Sequence, residues 1–355
     1  MSMLELPSNR AEAWRWADLG ALSAAAAMAP IARPEHDFLD LPGARLLFVD
    51  GVLDEGASTL GAVTLGEVMG SDHALGRHAR AGWSLRLDAR AAADPVQIVH
   101  VATAGENHLA AEIVLAEDAV GEVVETFVGA GWANRYTRTR LARGARLMRS
   151  VRLLQPAGFV SLREEADVGE AASLVTTFLG AGGQGSRIDA QLTMSGEGAF
   201  AEYGGALLTS DTQAQECAVR VNHAQPNGSS RQVWRAVAAD QSRASLAAAV
   251  EVARHAQKTD GEQSLRGLLL HRTATVNLKP ELEIFADDVK CAHGATVGEL
   301  DPRALFYMQS RGIPRARAQA ILTHAFVGDV LERIGNETVR AAFEADADAW
   351  LNAAL

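Results

Sequence analysis

The chain has 355 residues and a formal net charge of −11, and it is 48% hydrophobic but only 5% aromatic. A net-acidic chain lacks the cationic footprint of a general nucleic-acid binder, and no nucleic-acid partner is expected. Two cysteines exclude a disulfide framework and point to a reducing compartment. The charged opening MSMLELPSNRAEAWRW has no apolar signal region, so a cytoplasmic protein without membrane contact is expected.

Up to about residue 90 the pattern is helical and irregular. Ser8 and Asn9 are candidate N-caps for a helix over AEAWRWADLGALSAAAAMA, with Trp14, Ala17 and Ala21 on one face. The near-apolar stretch from Leu19 to Ala32 is too short to span a bilayer and reads as helix. Pro30, Pro34 and Pro42 interrupt, and a short strand in ARLLFVDGVL follows.

From about 95 to 290 the pattern changes to short β-like runs. They are VQIVHVA, LAAEIVLAED, GEVVETFVG, ARLMRSVRLLQ, GFVSLREEADV, ASLVTTFLG, SRIDAQLTMSG, AFAEYGGALLTS, QECAVRVNH, RQVWRAVAAD and LKPELEIFADDV. Their period-two alternation and turn-residue punctuation predict strands, and the lack of helix-length patterns disfavours βαβ units. A sandwich, a barrel or a parallel β-helix remains. The length favours a solenoid, in which each coil contacts only its neighbours, although no clean repeat period can be extracted. Arginines at 135, 138, 140, 143, 146, 149 and 152 are expected to form a solvated face balanced by acids, with a local anion-binding face as the alternative.

From about residue 300 the chain is helical again. Asp301 and Pro302 open one helix, Gly312 closes it and Pro314 opens a second. Ile321, Ala325, Phe326, Val330, Leu331 and Ile334 form an apolar stripe on the second. It suits either packing on the β core or docking of a partner. A last helix follows Asn336 and Glu337.

Several residues invite chemistry. Gly180, Gly182 and Gly185 spell G-x-G-x-x-G, but no helix pattern follows to hold a pyrophosphate, so a turn is expected rather than the dinucleotide site of an oxidoreductase. Asp287 and Asp288 are adjacent, so on a strand they face opposite ways and do not make a glycosidase pair. His100, His108 and His223 read as structural histidines, and Cys217 as a small core hydrophobe. Cys291 and His293 are different. On a strand, residues i and i+2 share a face, roughly 6–7 Å apart, and thiolate and imidazole suit iron–sulfur or zinc chemistry. Two ligands cannot close a tetrahedral site, so the pair needs further ligands or a partner chain.

Three blocks then resemble the C-terminal half of the SufB/SufD family of iron–sulfur cluster assembly proteins: AQKTDGEQSLRGLLL at 256–270, KPELEIFADDVKCAHGATVGELD at 279–301 and LFYMQSRGI at 305–313. GSRIDAQLTMSGEGAFAEYGGALL, VNHAQPNGSSRQVWRAV and the opening LPSNRAEAWRWADLGAL are similar to earlier parts of that family. The run Cys291-Ala292-His293-Gly294-Ala295-Thr296-Val297-Gly298 resembles the SufD branch rather than the SufB branch. The resemblance implies a mainly β protein, a right-handed parallel β-helix core over 91–298 between an N-terminal helical region at 1–90 and a C-terminal helical domain at 299–355. It implies a non-catalytic subunit that pairs with a SufB-type scaffold and a SufC-type ATPase, with a homodimer possible in isolation. Nascent clusters would form at the interface with the scaffold, using His293 as an iron or cluster ligand beside Cys291. Phe306, Ile321, Leu322, Phe326 and Val330 would dock the ATPase, which binds the ATP. The alternative is a parallel β-helix enzyme acting on carbohydrate.

Overall fold

The structure, a computed structural model, describes residues 6–68, 70–89 and 94–355. Residues 1–5, part of the charged opening, lie outside the described residues. The chain begins with a 3-10 turn at Glu12–Trp14 and helix α1 (Leu19–Ala26). Strands β1 (Arg45–Val49), β2 (Val52–Leu53), β3 (Val63–Glu67) and β4 (Ala81–Leu87) follow. An uninterrupted series of strands then comprises β5 (Val96–Ala102), β6 (Glu106–Leu115), β7 (Val120–Gly129), β8 (Trp132–Leu141), β9 (Arg146–Leu153), β10 (Phe159–Val168), β11 (Ser173–Gly180) and β12 (Gly185–Met194). It continues through β13 (Phe200–Thr209), β14 (Ala214–His223), β15 (Ser229–Ala238), β16 (Arg243–Val252), β17 (Asp260–Leu269), β18 (Thr275–Ile284) and β19 (Lys290–Glu299). Helices α2 (Pro302–Ser310), α3 (Arg315–Leu331) and α4 (Glu337–Ala354) close the chain. None of the described helices is long and apolar enough to cross a membrane.

The strands form a parallel β-solenoid of about eight turns. Odd-numbered strands from β5 to β19 build one sheet and even-numbered strands from β4 to β18 the other, each strand pairing in parallel with the strand two places on. The coil length drifts: Glu106 pairs with Trp132, 26 residues on, Gly185 with Ala214, 29 on, and Arg243 with Thr275, 32 on. This drift hides the repeat from a fixed-period reading of the sequence.

One corner of every coil repeats a single conformation. Asp118, Gly144, Ala171, Gly198, Asn227 and Lys258 all have φ between 51° and 68°. Each donates its N–H to a carbonyl at the next corner, as Asp118 does to Arg143 and Asn227 to Gln257. The left-handed region costs a side chain energy, so Gly and Asn recur there and Ala171 and Lys258 carry strain.

Alternate residues of both sheets point inward and make the main core, which includes Ile98, Phe127, Leu162, Phe178, Cys217, Trp234 and Leu246. A second cluster lies outside the odd-strand sheet, where Val327, Val330, Leu331 and Ile334 with Phe343 and Leu351 of α4 cover Val124, Leu179, Leu208 and Val237. A third seats Trp14, Leu22 and Ala25 on Trp132 and Phe159.

The opening helix departs from expectation. Ser8 and Asn9 do not cap a long helix. The Asn9 side chain donates to the carbonyls of Trp14 and Ala17, holding the 3-10 turn, and the Asp18 carboxylate accepts from the Ala21 N–H to start α1. Trp14 is fixed there by the Arg187 guanidinium, 4.2 Å from its ring centroid. The arginine run also departs from a solvated face. Arg135 and Arg149 point inward and are buried, although acids do balance the run, as Glu112 does Arg140 and Asp346 does Arg152.

Candidate functional site: the open end of the solenoid

The two ends of the solenoid differ. At the N-terminal end, β2 pairs antiparallel with β1 and β3 antiparallel with β4, so each sheet is finished by a short reversed strand. At the other end no strand among the described residues pairs beyond β18 and β19. Backbone groups alternate sides along a parallel strand. The N–H of Thr275 bonds back to Ser242 and that of Lys290 back to Thr259. Even-numbered residues of β18 and odd-numbered residues of β19 therefore turn their backbone groups to the free edge. On β18 that set includes Pro280, which has no N–H, flanked by the charged Lys279 and Glu281. Proline and charge are standard protections of an edge. On β19 it is Cys291, His293, Ala295, Val297 and the terminal Glu299, and the residues interleaved between Cys291 and Glu299 are Ala292, Gly294, Thr296 and Gly298. No proline or charge interrupts this stretch, and nearly all of it is exposed, which marks a surface ready to take another strand.

Cys291 and His293 lie on this strand, on its inward face. Cys291 packs against the main core and registers on Gly261; His293 registers on Gln263, itself buried, and is exposed. Burial pushes the Cys291 thiol above its usual pKa. Among the described residues no group of three or more His, Cys, Asp or Glu is placed to hold a metal ion. The pair by itself supplies two candidate ligands, half of a tetrahedral set.

The other candidates resolve into structural roles. His100 is buried between Phe48 and Phe127; its Nε2 lies 3.2 Å from Glu125 and its Nδ1 accepts from Arg135 Nε, the arrangement of a neutral imidazole. Burial, with Arg135 adding to it, lowers its pKa to about 4. His108 contacts Asn134 and His223 contacts Ser230, and burial lowers both to about 4. Cys217 is buried in the core, its thiol pushed up by burial. Gly180, Gly182 and Gly185 join β11 to β12 with no helix between them. Asp287 and Asp288 are not on a strand: β18 ends at Ile284, and the pair sits in the turn before β19, where the Asp288 N–H donates to Gln257. The turn forms because the ladder to β16 stops at Val252, where that strand also ends.

The helical residues divide. Val330 is buried against the odd-strand sheet, and Phe326 is partly buried with the Arg235 guanidinium 5.9 Å from its ring centroid. Phe306, Tyr307 and Ile321 are exposed, Phe306 by 73%, and Leu322 is half-buried. Tyr307 belongs with this surface and was not singled out by sequence; its neighbour Phe306 was the available signal.

A cavity of about 330 Å³ lies away from β19, on the outside of the even-strand sheet beneath the N-terminal segment. Of its charged side chains, Arg163 pairs with Asp189 and Lys279 with Glu12, while Glu216 pairs with Arg187 and Arg220 with Glu251 and Glu283 beyond the lining.

Residues 98–326 match the family model for "SUF system FeS cluster assembly, SufBD core domain". The chain belongs to the SufBD family. The match runs from β5 to the middle of α3 and includes Cys291 and His293. The iron–sulfur cluster assembly protein SufD of Escherichia coli (strain K12) is 30% identical over 259 residues, 70% of this chain and 61% of that one. Protein ABCI7, chloroplastic, of Arabidopsis thaliana is 32% identical over 237 residues, 64% of this chain and 48% of the relative. The iron–sulfur cluster assembly protein SufD of Bacillus subtilis (strain 168) is 38% identical over 85 residues, 24% and 20% of the two chains. The chain spans about three fifths or less of the length of these relatives. The family model and the relatives named SufD together support a SufD-type member of the SufBD family.

Proposed function

We propose that this chain is the SufD-type subunit of a cytoplasmic SUF assembly complex, a non-catalytic partner of a SufB-type scaffold and a SufC-type ATPase. The observation that carries this reading is the open β19 edge with Cys291 and His293 on its inward face. A strand of the scaffold adds to that edge and brings the ligands that the half-site lacks. Iron or a nascent cluster is then cargo held between two chains, with His293 as a ligand and Cys291 beside it, and not a resident cofactor of this one.

The three-part division of 1–90, 91–298 and 299–355 accompanies this reading, as does right-handed winding of the coil. In the last part Phe326 and Val330 anchor α3 on the sheet, while Phe306, Ile321 and Leu322 offer the ATPase a surface. Anchoring links α3 to the strands beneath it. The Arg235 guanidinium, beneath α3, pairs with Asp329 and also donates to Ser264 on β17, the strand that carries β19. ATP bound by the partner ATPase would move α2 and α3, and that movement has a rigid path to the half-site.

The test is co-purification with SufB-type and SufC-type proteins from the same source under reducing conditions at low salt. A stable ternary complex is expected. Failure of the chain to associate with either, while folded by circular dichroism, would end this reading.

A further inference from the structure

Five inward side chains in successive coils of the odd-strand sheet are polar: Arg149, Thr176, Tyr203, Gln232 and Gln263. Arg149 registers on Thr176; Tyr203 follows in the next strand, in register with Thr176; Gln232 falls between the registered pairs Glu202–Arg231 and Gly205–Trp234; Gln263 registers on Gln232 and then on His293. All five are at most 2% exposed. Each also keeps a polar atom with no hydrogen-bond partner among the described residues: Arg149 Nε, Thr176 Oγ1, Tyr203 Oη, Gln232 Oε1 and Gln263 Oε1. The amide nitrogens are used, Gln232 donating to Ala249 and Gln263 to Glu281, so it is the carbonyl oxygens that remain.

An unpaired buried polar atom is costly, and native interiors rarely keep one without water. Five in one column, in consecutive coils, share a cause. Small residues, among them Gly205, Ala190, Ala248 and Gly261, also face the interior in these coils. The inner end of the column is a buried charged cluster in which Arg149 pairs with both Glu125 and Glu164. Its outer end is His293 on the open strand.

We propose that this column lines a file of ordered water inside the solenoid, running from the Glu125–Arg149–Glu164 cluster to the His293 end and giving the buried cluster proton exchange with the half-site. Water held by the two glutamine carbonyls, the Tyr203 hydroxyl and the Thr176 hydroxyl meets both donors and acceptors, as a proton-conducting file requires. The Tyr203 hydroxyl stays protonated, its pKa raised by burial and by the neighbouring Glu164, and so keeps a proton to donate.

The file itself is tested on the isolated full chain, so its failure is separate from failure to pair. A crystal structure at a resolution that shows water should place ordered molecules against Thr176 Oγ1, Tyr203 Oη, Gln232 Oε1 and Gln263 Oε1. A dry column, or side chains turned to bond one another, overturns the proposal. The Trp234 indole N–H lies one inward position from Gln232 and also has no partner among the described residues, so its hydrogen exchange reports access. Gln263→Leu, near the mouth, should slow that exchange at least tenfold, whereas Gln263→Glu should leave it within threefold. Equal rates in Gln263→Leu and the parent chain also overturn it. If Gln263→Leu does not fold, Gln263→Met carries the same expectation.

Discussion

Cys291 stands in register with Gly261, and its sulfur lies 3.4 Å from where a Cβ on that glycine would be. The missing side chain gives the thiol a recess under the last coil, beside the core rather than in open solvent. Burial raises its pKa, so at neutral pH less of it is thiolate than in a free cysteine. Alkylation of the native chain by iodoacetamide should therefore modify Cys291 alone, more slowly than a model thiol, with a rate that rises through pH 9. Cys217, buried and also raised, should react only on unfolding. Two fast thiols in the native chain would contradict this placement.

The free edge of β19 makes a positional prediction. Ala295 turns its N–H away from β17, whereas Gly294 donates toward it, by the alternation that Lys290 fixes with its bond to Thr259. Ala295→Pro should keep the melting temperature within a few degrees and weaken association with a SufB-type partner at least tenfold, measured by calorimetry. Gly294→Pro removes a ladder bond and should lower stability by about 1 kcal/mol or more. Normal pairing by Ala295→Pro would move the interface away from this edge.

His293 is exposed at the mouth and takes no part in the core, so its removal tests chemistry apart from fold. His293→Ala should co-purify with its partners as the parent does while cluster assembly in vivo falls at least several-fold, read from the activity of an iron–sulfur enzyme in the same cells. Unchanged assembly would remove the ligand role.

The helical surface separates in the same way. Phe326 lies against Arg235 and Val330 is buried, so substituting either disturbs the docking of α3 on its own sheet. Phe306 is 73% exposed and touches no core cluster. Phe306→Asp should spare stability and scaffold pairing but weaken binding of a SufC-type ATPase about tenfold or more. Loss of both partners together would assign α2 to something other than the ATPase.

How much of this was legible in the sequence depended on what pointed inward. Strands with apolar residues on the inward face, such as β6 with Leu109, Ala111, Ile113 and Leu115, stood out by alternation. Among those outside the recognised runs, besides β3, β4 and β19, were β8, β16 and β17. Their inward residues include Arg135, Thr137 and Thr139 on β8, Ala244 and Ala248 on β16, and Gly261 and Gln263 on β17. A polar or small inward face defeats a hydrophobicity rule when it dominates a strand, whereas β9, β11, β13 and β15 carry single column residues among apolar ones and still stood out. The Cys291–His293 pair was legible because period two on a strand is local. The buried fate of Arg149 was not, because Glu125 and Glu164 reach it from other coils, 24 and 15 residues away.

Acid should unfold this chain by way of its buried histidines. His100, His108 and His223 each titrate at about 4 when folded, against about 6.5 in an unfolded chain, chiefly because burial penalises the imidazolium. A depressed pKa means the unfolded state binds more protons between these values, so stability rises with pH across that window and falls on acidification. Three such groups give a slope approaching three protons, about 4 kcal/mol per pH unit at its steepest. Glu125 adds a later loss. Burial alone would raise its carboxyl, but Arg149 and His100 override that and hold it at about 2, so its contribution, complete above about 4.5, drains as pH falls towards 2. Arg149→Met strips the guanidinium from two buried carboxylates, leaving Glu125 only its contact with His100, and should cost about 3–5 kcal/mol at pH 7. It should also recover part of that loss as the carboxylates protonate below pH 5. Urea midpoints of the parent and of Arg149→Met between pH 4 and 8 measure both effects; a parent curve flat from 6.5 to 4.5 would show that the histidines are not held neutral by burial.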